Sequence, residues 1–289
     1  MDFYLSAILQ GLCLSAMAFG IFISMKIFNI PDISTDGTYT LGGVVSGLLI
    51  SHSFNNLNIL ILVILAGALA GAATGFIHTK LKVNALLAGI LVMTALYSIN
   101  LSILGRSNLP LLNYQTLFNW VNVFTDANQN NLLTVTTIIS LLLIMVAYIL
   151  KSDFGLAMRA TGNSETMIRA LGVNTDTMKI IGLALANALT AVSGYLMTQL
   201  QGFADINMGI GIVIVGLGSV IIGETLITFF NISSVTTMLL TVVIGAITFQ
   251  LVLAFALSLG INPNLLKLVT AGFVLLIVGL PRFILKKAG

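Results

Sequence analysis

Only 7% of the 289 residues are charged, so the side chains able to do chemistry can be taken almost one at a time. Asp32 and Asp36 lie in Pro31-Asp-Ile-Ser-Thr-Asp-Gly37, Glu224 lies toward the end of an apolar block, and His52 and His78 flank separate blocks. An acid–base pair needs its members within hydrogen-bond reach, and the topology derived below puts the two histidines on opposite sides of a membrane. There is no Gly-x-x-x-x-Gly-Lys-Ser/Thr loop to cradle phosphates, no Gly-x-Ser-x-Gly elbow and no His-Glu-x-x-His zinc site. The sole cysteine, Cys13, rules out an internal disulfide or a cysteine metal cluster and reads as a small buried apolar residue. We therefore expect no catalytic residue, no metal, no cofactor bound by this chain and no nucleotide hydrolysis by it.

The most informative polar stretch is 151–179. Asn163 or Ser164 can cap a helix whose first turn holds Glu165 and whose last turn holds Arg169, as the helix dipole prefers, and Gly172 can end it. The result is a rod of about nine residues, roughly 13 Å long. Met167, Ile168 and Leu171 give it an apolar side, and Asn174 or Thr175 can cap the apolar helix that follows. A cytoplasmic motor could grip such a rod; an ordinary interfacial loop would look similar.

The elements that must hold these residues are membrane helices. The chain is 58% hydrophobic, with a mean hydropathy of +1.09, whereas soluble domains carry roughly 25% charged residues. Its apolar blocks are mostly long enough to cross a hydrocarbon core of roughly 30 Å. Runs such as Leu57-Asn-Ile-Leu-Ile-Leu-Val-Ile-Leu65 do not alternate as barrel strands would. The fold class is therefore all-α and polytopic, a single membrane domain over 1–289. Nine spans are predicted, near 5–25, 38–52, 57–77, 85–104, 132–150, 180–200, 209–228, 235–258 and 265–281. The short second block could be re-entrant, which leaves eight. The start Met1-Asp2-Phe3 lacks a basic signal region, so the first block is expected to stay as a membrane helix.

With the C-terminus in the cytoplasm, ten of the 12 basic residues fall inside and only Arg106 and Lys267 outside. This follows the positive-inside rule and places the N-terminus outside. The net charge of +3 then reflects topology rather than nucleic acid binding. Leu111, Tyr114, Leu117, Phe118 and Trp120 in the outer segment 105–131 suggest a short helix lying on the membrane or against an outer partner. Gly67, Gly71 and Gly75, and likewise Gly182, Ala186, Thr190 and Gly194, recur every four residues, a pattern that lets helices approach closely. Glycines 209, 211, 216, 218 and 223 suggest packing in the seventh span, with a flexible pore lining as the alternative. Predicted helix centres are almost empty of charge, which disfavours ion-coupled transport.

Several motifs carry a family resemblance. Gly155-Leu-Ala-Met-Arg-Ala-Thr-Gly162, Ala170-Leu-Gly-Val-Asn-Thr175, Ala186-Asn-Ala-Leu-Thr-Ala-Val-Ser-Gly-Tyr-Leu196 and Gly216-Leu-Gly-Ser-Val-Ile-Ile-Gly223 occur in that order. They resemble the branched-chain amino acid and ribose type permeases of ABC importers. Ile30-Pro-Asp-Ile-Ser-Thr-Asp-Gly-Thr-Tyr-Thr-Leu-Gly-Gly43 is similar to the corresponding segment of tryptophan or tyrosine permeases. The resemblance implies a type II importer-like permease of the bacterial cytoplasmic membrane that dimerises. It would be driven by two copies of a separate ATPase holding ATP and Mg, and fed by an extracytoplasmic binding protein.

By the same resemblance, Ser164, Glu165, Met167, Ile168, Arg169, Ala170, Leu171 and Gly172 would form a coupling helix. The path would run at the dimer interface, with Ser34, Asp36, Thr38, Asn187, Ser219 and Glu224 as its polar candidates. The extra N-terminal helix of the ribose branch is not expected here. An amino acid, aromatic first, is the expected solute; branched-chain amino acids, nucleosides and sugars stay open. An ATP-independent transporter or channel, and a membrane scaffold, are the competing readings.

Overall fold

The structure is a computed structural model that describes residues 2–119, 124–232, 234–262 and 265–287. A backbone in lipid must satisfy its own hydrogen bonds, and the apolar blocks accordingly form helices. In chain order they are α1 (Asp2–Ile21), extended by a π-helical turn at Phe22–Ile27, α2 (Ser34–Ser51), α3 (Asn56–Thr79) and α4 (Ala85–Leu104). Next come α5 (Ala127–Lys151), α6 (Asp153–Asn163), α7 (Glu165–Ala170) and α8 (Thr175–Gln201). The chain finishes with α9 (Ile212–Phe229), α10 (Val235–Ser258) and α11 (Leu266–Lys287). Polar side chains start many of them: Asn55, Asn84, Asp126, Ser152 and Asn174 each accept a hydrogen bond from the first turn they precede.

Helices α1 and α8 form the centre. In their most apolar stretches 83% and 78% of residues are buried, against 28–39% in the other long apolar helices, which turn a face outward. One side of α8 meets α3 along the Gly67, Gly71 and Gly75 seam. A Cβ on Gly71 would stand 2.1 Å from the Leu183 carbonyl oxygen, and one on Gly75 would stand 2.7 Å from the Ile180 Cα. The other side carries Gly182 and Gly194, packed on Phe28 and on the Tyr39 backbone. Both ladders seen in the sequence are therefore close-approach seams, and α8 is clamped between α3 and the pair α1–α2.

Among the described residues seven helices are long and apolar enough to cross a membrane: α1 with its π-helical turn, α3, α4, α5, α8, α9 and α10. The other two predicted spans are present as α2 and α11, and the described apolar part of α11 runs Leu266–Ile277. Almost all of α2 is buried, so its threonines and serines sit against protein rather than lipid. The seventh span starts at Ile212 rather than 209, because Gly211 adopts a left-handed conformation (φ +80°) just before it.

The outer segment also differs from expectation. In place of a helix on the membrane it forms β1 (Asn108–Pro110), antiparallel to β2 (Phe203–Asp205), and a single helical turn at Leu117–Asn119. Leu111 and Phe118 are buried, and the Leu117 N–H donates to Gln199 Oε1 at 2.5 Å. These apolar residues cover the end of α8, which outweighs any preference for the lipid interface. Tyr114 stays exposed, and Trp120 lies outside the described residues.

Candidate functional site

At one end of the bundle α6 and α7 project between α5 and α8. The sequence predicts one short helix there, and the structure has two, separated at Ser164, whose extended backbone starts α7. Asn174 caps α8 through the Thr177 N–H, and Gly172 (φ +85°) ends α7, as its lack of a Cβ permits. Helix α7 is six residues long, shorter than predicted.

Ion pairs hold α7 against the base of α8. Glu165 receives Lys179 Nζ at 2.6 Å and Arg169 at 2.9 Å, and the Thr175 hydroxyl at 3.1 Å. Arg169 also reaches Thr175 and Asp176, at 2.6 and 2.7 Å, and Asp176 in turn receives Lys80 from the end of α3 at 3.3 Å. The Lys179 hydrogen bond is the main influence holding the Glu165 carboxyl below the usual glutamate range; partial burial opposes it, and the Lys179 charge, Thr175 and Arg169 reinforce it. Ile168 is buried at 6% exposure, while Met167 and Leu171 stand out at 60% and 70%. A braced short helix thus presents two large apolar side chains to whatever lies beyond this end.

A second polar constellation sits halfway along α8. Asp32, in the break after α1, accepts from the Ser34 N–H at 2.9 Å, the Ser34 hydroxyl at 2.5 Å and Asn187 Nδ2 at 2.7 Å. All three residues are buried. The Asp32 to Ser34 bond is a local aspartate turn that starts α2. Two residues on, Asp36 accepts from the Gly211 and Val213 N–H groups at 2.9 and 2.8 Å, so its carboxylate caps the N-terminus of α9. Helices α2 and α9 therefore both begin at this level, joined through Asp36. Asn100 of α4 donates to the Gly37 carbonyl at 3.1 Å, and the Thr38 hydroxyl donates to Ser34 O at 3.0 Å.

Of the six polar path candidates, the structure brings Ser34, Asp36, Thr38 and Asn187 together. Ser219 lies apart on α9, its hydroxyl donating to Val215 O at 2.7 Å. Glu224 pairs with Lys26 at 2.7 Å near the end that carries α6. Sequence reasoning left Asp32 out of the candidate set, although Asp-x-Ser before a helix is a readable turn signal. It also missed Lys80, Thr175, Asp176 and Lys179; partners up to 96 residues apart leave no local mark.

The family model for the branched-chain amino acid transport system permease component matches residues 3–279. The chain belongs to that permease family. It is 39% identical over 267 residues to the tyrosine transport system permease protein of Clostridioides difficile, covering 92% of this chain and 87% of that one. An uncharacterised protein of Rickettsia prowazekii is 35% identical over 279 residues, covering 96% of both. Among solved structures, a metal-chelate type ABC transporter in an inward-facing conformation aligns with a TM-score of 0.50 at 15% identity, covering 96% of this chain and 83% of that chain. This last likeness concerns the fold alone. The resemblance read from the motifs is borne out: the chain is an ABC transporter permease, a multi-pass protein of the bacterial inner membrane. The permeases of this family are not themselves catalytic, and the family implies an ATPase and a solute-binding protein as partners.

Proposed function

We propose that this permease forms a homodimer, that each copy engages one ATPase subunit through α7, and that ATP and Mg bound there drive import of an aromatic amino acid. The observation that carries the coupling role is the brace around Glu165: α7 is tied to the base of α8 by ion pairs, and that base is tied in turn to the end of α3 through Lys80–Asp176, while Met167 and Leu171 stand exposed where a groove on the partner could take them. A motor that moves α7 moves the base of α8. Helix α8 bears Asn187 at its middle, bonded to Asp32 and Ser34, so the displacement reaches the junction where α2 and α9 begin.

We take Ser34, Asp36, Thr38 and Asn187 as the polar junction beside which the path opens at the dimer interface, with Ser219 and Glu224 along the wall built by α9. Lys26, Arg159, Arg169 and Lys179 gather at the end with α6 and α7, which supports a cytoplasmic assignment for that end. In this topology all nine long helices cross, the N-terminus is extracytoplasmic and the C-terminus cytoplasmic. The aromatic substrate rests on the relative named as a tyrosine permease and on the Pro31-Asp-Ile-Ser-Thr-Asp-Gly37 segment. Reconstituting the permease with its ATPase and binding protein and measuring uptake of tyrosine, leucine, a nucleoside and ribose tests it. ATP-dependent uptake of tyrosine is expected; uptake by the permease alone without ATP would refute the coupling.

A further inference from the structure

Between the π-helical turn after α1, the end of α5, α6 and the start of α10 lies a cavity of about 180 Å³. Lys26, Arg159 and Asn163 supply its polar wall, and Phe22, Leu150 and Met238 part of its apolar wall. Arg159 is half-buried along this wall, and its Nε, shielded from solvent, has no hydrogen-bond partner among the described residues. None of the lining residues is acidic, and Glu224 is engaged by Lys26 at 2.7 Å. The four elements that frame the cavity each end or begin beside it, so it sits at the end of the bundle that carries α6.

A buried guanidinium N–H without a partner loses its hydration for nothing, and a planar guanidinium fork fits phosphate oxygens better than any other common anion-binding side chain. Lys26, though paired with Glu224, keeps N–H donors for a second contact, and the apolar walls suit the glycerol and first methylenes of an amphiphile. We propose that this cavity binds a phosphate group, carried by the headgroup of an anionic phospholipid of the adjacent leaflet. Arg159 grips the phosphate, Lys26 and Asn163 border it, and the apolar walls take the start of the chains. Basic pockets between helices at a membrane face are general sites for such headgroups. Occupancy would fasten α6 to α10 and to the turn after α1, steadying the loop from which α7 projects.

The test uses the full purified permease in detergent, which does not depend on the coupling proposal. Native mass spectrometry after addition of phosphatidylglycerol is expected to show one tightly retained lipid. Arg159→Gln should lower its retention about fivefold, the worth of one basic residue near a lipid headgroup, and Arg159→Lys should restore part of it. Val235→Trp fills the cavity without touching a charge and should also displace the lipid, with elution volume reporting that each variant is folded. Displacement by excess inorganic phosphate supports recognition of the phosphate itself. Retention unchanged in both Arg159→Gln and Val235→Trp would overturn the proposal, as would stabilisation by inorganic phosphate with no retained lipid.

Discussion

At the residue scale, the account turns on two hydrogen-bonded carboxylates. Asn187→Ala leaves Asp32 Oδ2 without its donor inside the bundle and should lower stability by about 1–2 kcal/mol, read as a drop in the thermal unfolding midpoint in detergent. Unaltered unfolding would remove the junction from the account. Glu165 behaves differently because it faces water. Its folded-state pKa lies below its ordinary value of 4.5, so the stabilisation it gives α7 is complete above that value and is lost as pH falls through the lower, folded one. Amide exchange across α7 should therefore show constant protection from pH 7 to about 5, once corrected for intrinsic rates, and opening only in stronger acid. Glu165→Gln should show the opened behaviour already at neutral pH. Asn174 and Gly172 were legible in the sequence because they act on backbone within three residues, whereas Ser164 starts α7 through its extended backbone and its hydroxyl caps nothing. The Asp36 cap on α9 was not, because its partners are 175 and 177 residues away.

At the element scale, the small-residue ladders were readable because a four-residue period puts glycines on one helix face, and close approach is the main use of such a face in lipid. Gly71→Leu should separate α3 from α8, since even its Cβ would overlap the Leu183 carbonyl. The measurable result is loss of the monodisperse species on size exclusion, whereas Leu at the lipid-facing Leu69→Ala control position should be dispensable. Helix α6 went unread because only Ser164 separates it from α7, and one extended residue leaves no signature in composition. The β1–β2 pair was equally silent: each strand has three residues, and their pairing joins segments that are distant in sequence.

At the scale of the whole molecule, hydropathy and the positive-inside bias were enough to give the helical class, while the number of crossings turns first on α2, whose serines and threonines lower its hydropathy and whose burial takes it away from lipid. A Cys13→Ala background carrying Phe3→Cys should be labelled by a membrane-impermeant thiol reagent added outside intact cells; labelling only after lysis would reverse the orientation. The larger claim is that nucleotide chemistry on another subunit moves this one through α7. The most direct measurement is ATP-driven solute uptake in proteoliposomes holding the full complex, with Met167→Glu and Leu171→Glu combined in the permease. Both side chains are exposed, so the variant should fold and elute as wild type. Uptake is predicted to fall at least tenfold because two charges would have to be buried in the partner's groove. Wild-type uptake by that variant would contradict the account.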